Sequence, residues 1–290
     1  MHYEGDIYRP PSEAQSLIIQ VTVGCTHNGC TFCSMYKADT FKIKPFETVL
    51  SDLCEARQYY RYVERIFFAD GDALCIETDK LLRLLEETRL LFPEYSRVGI
   101  YGRATQILRK SESELAQLRD AGLGIIYIGA ESGSEEVLRR INKGDTAAQT
   151  IEAVQKAEAL GLKMSVTFIS GLGGSELLQE HAVKTGEMIS QMGASFVGFL
   201  TLLVEPAAPL YADIESGKFK LLSPLDVLHE QEIVLENTSC TTETVFRSNH
   251  ASNWLVLKGT LPQDKEFMLA QIRTAKSDAG QLRPERYRRL

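Results

Sequence analysis

At 290 residues, with hydrophobic side chains making up 44% of the total, the chain is long enough to bury a substantial core. No apolar run approaches the roughly 18 residues of a membrane span, and Met1–Asp6 lacks the basic-then-apolar pattern of a secretion signal, so a cytoplasmic protein is expected. A net charge of −7 argues against broad electrostatic binding of nucleic acid.

In chain order, strands are predicted at Ser16–Val23, Arg65–Ala69, Val98–Tyr101, Leu123–Gly129, Met164–Ser170 and Ser195–Leu202. Val, Ile, Phe and Tyr enrich these runs, and their nearly unbroken apolarity suits parallel strands covered on both faces. Helical spacing fills the gaps between them. Val49, Leu50, Leu53, Ala56 and Tyr60 form one stripe; Leu81, Leu82, Leu85 and Leu91 form another. Ser111 with Glu114, and Thr146 with Gln149, read as helix starts, while Gly122 and Gly161 sit where helices stop. Strand–helix alternation of this kind predicts an α/β fold with a parallel sheet and right-handed crossovers; periodicity leaves open whether the sheet is flat or curled.

Beyond residue 203 the alternation stops, and Pro206, Pro209, Pro224 and Pro262 divide the chain into shorter pieces. Helices are expected at Pro224–Glu236 and Gln263–Lys276. The organisation is read as an N-terminal segment (1–15), a core (16–203) and an α-rich C-terminal extension (204–290). The tail carries Arg283, Arg286, Arg288 and Arg289 and is read as a solvated terminus, contact with an anionic substrate or RNA staying open.

Three of the six cysteines, Cys25, Cys30 and Cys33, fall within nine residues just after the first strand. Parallel α/β folds place their chemistry on such loops, and cysteine crowding in a reducing compartment points to a metal site. Three thiolates leave one iron of a cubane open for a ligand. A structural zinc site would want a fourth ligand, for which His27 is the nearby candidate. Cys54 falls on an apolar stripe and reads as core; Cys75 and Cys240 stand alone and read as inert.

The segment Cys25-x4-Cys30-Thr31-Phe32-Cys33 resembles the radical S-adenosylmethionine (SAM) signature, with four residues where most members have three between the first two cysteines. Ile128–Gly144 is similar to a run shared by oxygen-independent coproporphyrinogen oxidase, elongator-type and methylthiotransferase radical proteins. The resemblance implies a partial (β/α)6 TIM-like barrel over residues 16–202. It implies a [4Fe–4S] cluster on Cys25, Cys30 and Cys33, with Phe32 beside the cofactor. SAM would chelate the open iron and, after one-electron reduction, yield methionine and a 5′-deoxyadenosyl radical that takes hydrogen from a substrate. Reduced flavodoxin or ferredoxin is the implied electron donor.

By the same resemblance Asp70, Gly71 and Asp72 meet the amino group of SAM, Glu131 and Ser132 face the cofactor, and Lys143 lies near its carboxylate. Arg103 falls where the family places a polar residue against ribose or substrate, and Thr167 and Ser170 where adenine lies. Arg9, Asn249, His250 and Asn253 sit in polar runs and are taken as lining a substrate pocket. The acidic balance favours a small-molecule substrate over RNA or protein. A non-catalytic electron carrier and a zinc-binding module stay as alternatives.

Overall fold

The expected strands are strands in the computed structural model, which describes residues 1–289. Contacts divide the chain into two compact units that cut across the expected boundary at residue 203. One comprises Met1–Asn28, Met35–Ile128 and Lys156–Met164; the other comprises Gly29–Ser34, Gly129–Gln155 and everything from Ser165 on.

The first unit begins with β1 (Leu17–Gln20), β2 (Thr22–Val23) and β3 (Lys42–Ile43), followed by α1 (Phe46–Tyr59) and β4 (Arg65–Ala69). Next come α2 (Thr78–Leu91), β5 (Arg97–Tyr101), α3 (Ala104–Arg109), α4 (Glu112–Asp120) and most of β6 (Leu123–Glu131). Strands β1, β4, β5 and β6 lie side by side in that order, all parallel, and β2 pairs antiparallel with β3. Helices occupy the crossovers, as parallel pairing requires. Ser111 and Glu114 cap each other's backbone N–H at the start of α4, so that helix begins where its sequence says.

Phe67, Ala69, Ile125 and Tyr127 form one buried cluster, with Ile7, Ile18 and Tyr101 packed on it. Burying an aromatic ring of this kind contributes about 2–3 kcal/mol. The N-terminal segment belongs to this core. Glu13 is fully buried, where it accepts from the Tyr127 hydroxyl and pairs with Arg97 at 2.7 Å. Along α1 the buried positions are Val49, Asp52, Leu53 and Ala56, while Tyr60 and Cys54 are exposed. The reading of Cys54 as core is therefore corrected: helical rotation turns it away from the stripe. Asp52 is buried instead because Lys44 (3.3 Å) and His2 (2.7 Å) satisfy it.

The second unit contains α5 (Glu135–Arg140), most of α6 (Ala147–Ala159), β7 (Lys163–Ser170), α7 (Leu178–Met192) and β8 (Phe196–Thr201). It continues with α8 (Leu210–Glu215), α9 (Pro224–Glu236), β9 (Thr244–Ser248), β10 (Leu257–Leu261) and α10 (Lys265–Ser277). β7, β8 and β9 are parallel neighbours, and β10 closes the edge antiparallel to β9. Phe168, Phe199 and Phe246 stack across these three strands with ring centroids 5.4 Å apart at each step.

The two strands of the extension were not expected from sequence. Thr244–Ser248 is short and carries an exposed Arg247, so its apolar signal is only Val245 and Phe246. The basic tail also differs from the expectation of a solvated terminus. Arg283 donates to the carbonyls of His250, Ala251 and Asn253 at 2.8–2.9 Å. Arg288 donates to the Ser252 carbonyl at 2.7 Å and lies 3.9 Å over the Trp254 ring. A loop that turns several carbonyls one way needs donors, and a guanidinium fork supplies them. Among the described residues no helix is long and apolar enough to cross a membrane.

Candidate functional site

In the first unit Cys25 follows β2 directly, behind Gly24, whose φ of +74° suits glycine. The loop after β4 packs tightly against it. A Cβ on Gly71 would stand 3.0 Å from the Cys25 Cβ, 3.0 Å from the Gly24 carbonyl oxygen and 2.8 Å from the Tyr36 ring. Only a bare backbone fits there.

Asp70 and Asp72 each have protein partners. Asp70 is buried, accepting from the Tyr36 hydroxyl at 2.6 Å and from Gln20 Nε2 at 3.1 Å. Burial pushes its carboxyl up to about 6, with those two bonds pulling the other way. Asp72 accepts from the Thr26 hydroxyl, next to Cys25, and from Gln106 Nε2 at 3.3 Å. Both carboxylates thus hold the β4 loop, Asp70 through Tyr36 and Gln20 and Asp72 through Thr26 and Gln106. Tyr36, Gln20 and Gln106 were missed because their partners lie tens of residues away in sequence. Arg103 is half-buried at the N-cap of α3, and Arg9 is exposed.

In the second unit the segment Gly29–Ser34 carries Cys30 and Cys33 and is pinned through its backbone. The Thr31 N–H donates to the Ile141 carbonyl at 2.9 Å, and its own carbonyl accepts from Leu210 N–H at 2.8 Å. Asn142, left-handed at φ +52° beyond the end of α5, donates to the Gly29 carbonyl at 2.9 Å. Phe32, Cys30 and Cys33 are half-buried, and no disulfide joins any of the six cysteines.

Glu131 ends β6 at φ +66°, a conformation unusual for a side chain with a Cβ and a frequent mark of a functional position. Its carboxylate meets Lys143 Nζ at 2.8 Å, with side chains only 9% and 12% exposed. Burial opposes the Lys143 charge, but Glu131 and Cys30 outweigh it and hold the ammonium above its usual range. A Cβ on Gly129 would run into the Glu131 carboxylate and come within 3.2 Å of Lys143 Nζ, so any larger residue there must shift the pair.

Other predicted residues are placed differently. Burial alternates along β7, with Thr167 on the half-open face and Ser170 fully buried on the other. A period of two forbids both from facing one ligand. Ser170 receives Gln231 Nε2 at 3.3 Å, and Ser132 lies 2.7 Å from His181 Nδ1, so both hydroxyls face helices. Asn249 is exposed and His250 half-buried, its Nδ1 accepting from Ser252 N–H at 3.1 Å. Asn253 is fully buried, donating to the Phe199 carbonyl at 2.7 Å and accepting from the Thr201 hydroxyl at 3.0 Å. It is a fastener at the end of β8 rather than a pocket wall. Asn253→Ala is expected to lower unfolding free energy by about 1–3 kcal/mol, because two buried groups lose their partner. Unchanged denaturant stability would return Asn253 to the pocket.

The donor set fits a cluster. A cubane takes each thiolate on a different iron. Parallel α/β strands with three cysteines after a strand end are the arrangement a cluster-binding α/β enzyme would need. The sequence pattern of the Radical SAM superfamily matches residues 19–183, more than half of the chain, and the protein belongs to that superfamily.

The chain is 27% identical over 172 residues to 4′-phospho-dehydrooxetanocin synthase of Priestia megaterium, covering 53% of this chain and 23% of that one. It spans between 23% and 41% of the length of the curated relatives it matches. Among solved structures, the radical SAM methyltransferase TsrM of Kitasatospora setae has a TM-score of 0.57 at 18% identity, over 71% of this chain and 39% of that one. The Elp3 protein of Methanocaldococcus infernus has a TM-score of 0.53 at 16% identity, over 92% and 64%. These likenesses are of fold. Members of the superfamily are enzymes that use SAM and a [4Fe–4S] cluster.

Proposed function

We propose that this protein reductively cleaves SAM at a [4Fe–4S] cluster held by Cys25, Cys30 and Cys33 and uses the radical to modify a small organic molecule. The observation that carries this reading is the cysteine loop itself: three half-buried thiols in Cys-x4-Cys-x2-Cys spacing, on a backbone fixed by Asp72, Asn142 and Leu210. Cys25, Cys30 and Cys33 would hold the cluster, which would supply the one electron needed for reductive cleavage of SAM.

The chain's own residues bind and orient. The peptide groups of Asp70–Asp72, brought close by Gly71, accept from the cofactor's ammonium. Lys143 offers a fixed positive charge for a carboxylate, and Glu131 an acceptor for ammonium or ribose hydroxyls. Phe32 packs beside the cofactor, Arg103 toward ribose or substrate, and Thr167 toward adenine. The small-molecule preference is supported by the net charge of −7 and by the likeness to 4′-phospho-dehydrooxetanocin synthase. Reduced flavodoxin or ferredoxin is the proposed donor.

The test supplies deuterated candidate substrates to reconstituted, reduced protein and weighs the 5′-deoxyadenosine formed. A small molecule that passes deuterium into the nucleoside supports the reading. Deuterium arriving only from labelled RNA or protein would replace it with macromolecule modification.

A further inference from the structure

Helices α7 and α9 bury polar side chains beneath the ends of β6 and β7 that the cysteine chemistry leaves unused. His181 and Glu230 are both fully buried. The Ser132 hydroxyl lies 2.7 Å from His181 Nδ1 and accepts from the Ser134 N–H at 3.0 Å. Glu230 Oε1 accepts from the Gly171 N–H at 2.9 Å. The two residues meet where His181 Nε2 comes within 3.6 Å of that same oxygen. Gln231, the next residue on α9, donates to Ser170 at 3.3 Å and to Ser248 at 3.4 Å.

Interior burial sets the charge of this group. It pushes the Glu230 carboxyl up to about 8, against the Gly171 N–H and the Ser170 hydroxyl. It pushes His181 down to about 4, against the Ile169 backbone. Ser132, Ser170, Ser248 and Gln231, which pack around them, are neutral. An uncharged acid beside an uncharged imidazole is the inexpensive state in such surroundings.

What this group touches gives it meaning. Gly171 and Gly174 hold φ values of +87° and +58°, so the loop after β7 has little side-chain substance to fix it. Glu230 fixes it from behind through the Gly171 N–H. His181 does the same for the Ser132–Ser134 turn, next to the strained Glu131. We propose that His181 and Glu230 are positioning residues, a buried brace that holds the β6 and β7 end loops in the arrangement that binds SAM. The proposal rests on the radical SAM reading above. It makes α9, in the C-terminal extension, a working part of cofactor binding.

The test compares wild type, Glu230→Ala and Glu230→Gln in the full chain. Hydrogen exchange over residues 129–134 and 170–175 is read without cofactor, and the SAM dependence of 5′-deoxyadenosine formation after reconstitution. Glu230→Ala is expected to speed exchange in both segments and raise the KM for SAM roughly tenfold, as a misplaced binding loop does, with kcat little changed. Glu230→Gln, which keeps an acceptor for Gly171, should restore both readouts. Glu230→Ala with unchanged exchange and KM would overturn the brace. So would Glu230→Gln with a wild-type melting temperature and the KM of the alanine variant. Absence of 5′-deoxyadenosine from the wild type would instead reject the radical reading, while exchange still reports on the brace.

Discussion

Alanine at Cys25, Cys30 or Cys33 is expected to leave a folded protein that holds no cluster and forms no 5′-deoxyadenosine. The three thiols are half-buried and outside any disulfide, and their loop is held by backbone and by Asp72, not by sulfur. Loss of one thiolate therefore removes an iron ligand without opening the core. The other three cysteines supply the contrast. Cys54 is exposed. Burial pushes the Cys75 thiol up to about 12 and also raises Cys240, and both stand alone in the sequence. A Cys54→Ala/Cys75→Ala/Cys240→Ala variant should bind wild-type iron and sulfide. Its failure to do so, or full cluster content in Cys30→Ala, would contradict the ligand assignment.

The second large effect is expected at the Glu131–Lys143 pair. Lys143→Met leaves the Glu131 carboxylate buried, strained and uncompensated, which costs about 3–5 kcal/mol of stability by the usual measure of a broken buried pair. It also removes the positive charge proposed to meet the carboxylate of SAM. Gly129→Ala separates these roles, because its Cβ displaces the Glu131 carboxylate while Lys143 keeps its charge. Urea unfolding should show the large loss for Lys143→Met and a smaller one for Gly129→Ala. Calorimetric titration with SAM should show weaker binding in both. Wild-type SAM affinity in Gly129→Ala would remove Glu131 from the cofactor site.

The strands and crossover helices were legible because buried parallel strands read as apolar runs and the caps at Ser111 and Thr146 are local signals. β9 and β10 were not, since their burial comes from neighbours far along the chain. The three cysteines after the first strand stood out by their spacing, and their role as cluster ligands is the proposal that spacing and resemblance support. The fate of Asp70, Asp72, Ser132 and Ser170 was not, because each is satisfied by a partner 34 to 61 residues away. Ser170 could have been separated from Thr167 by strand alternation. His181 also left a trace, a histidine on the buried stripe of α7 with Ala182, Thr185, Met188 and Ile189.

The most direct measurement of the central claim is anaerobic reconstitution with iron and sulfide, followed by reduction in the presence of SAM and candidate substrates. About four irons and four sulfides per chain are expected, as a cubane requires, with equimolar methionine and 5′-deoxyadenosine. A colourless protein that takes up one zinc per chain and leaves SAM intact would contradict it.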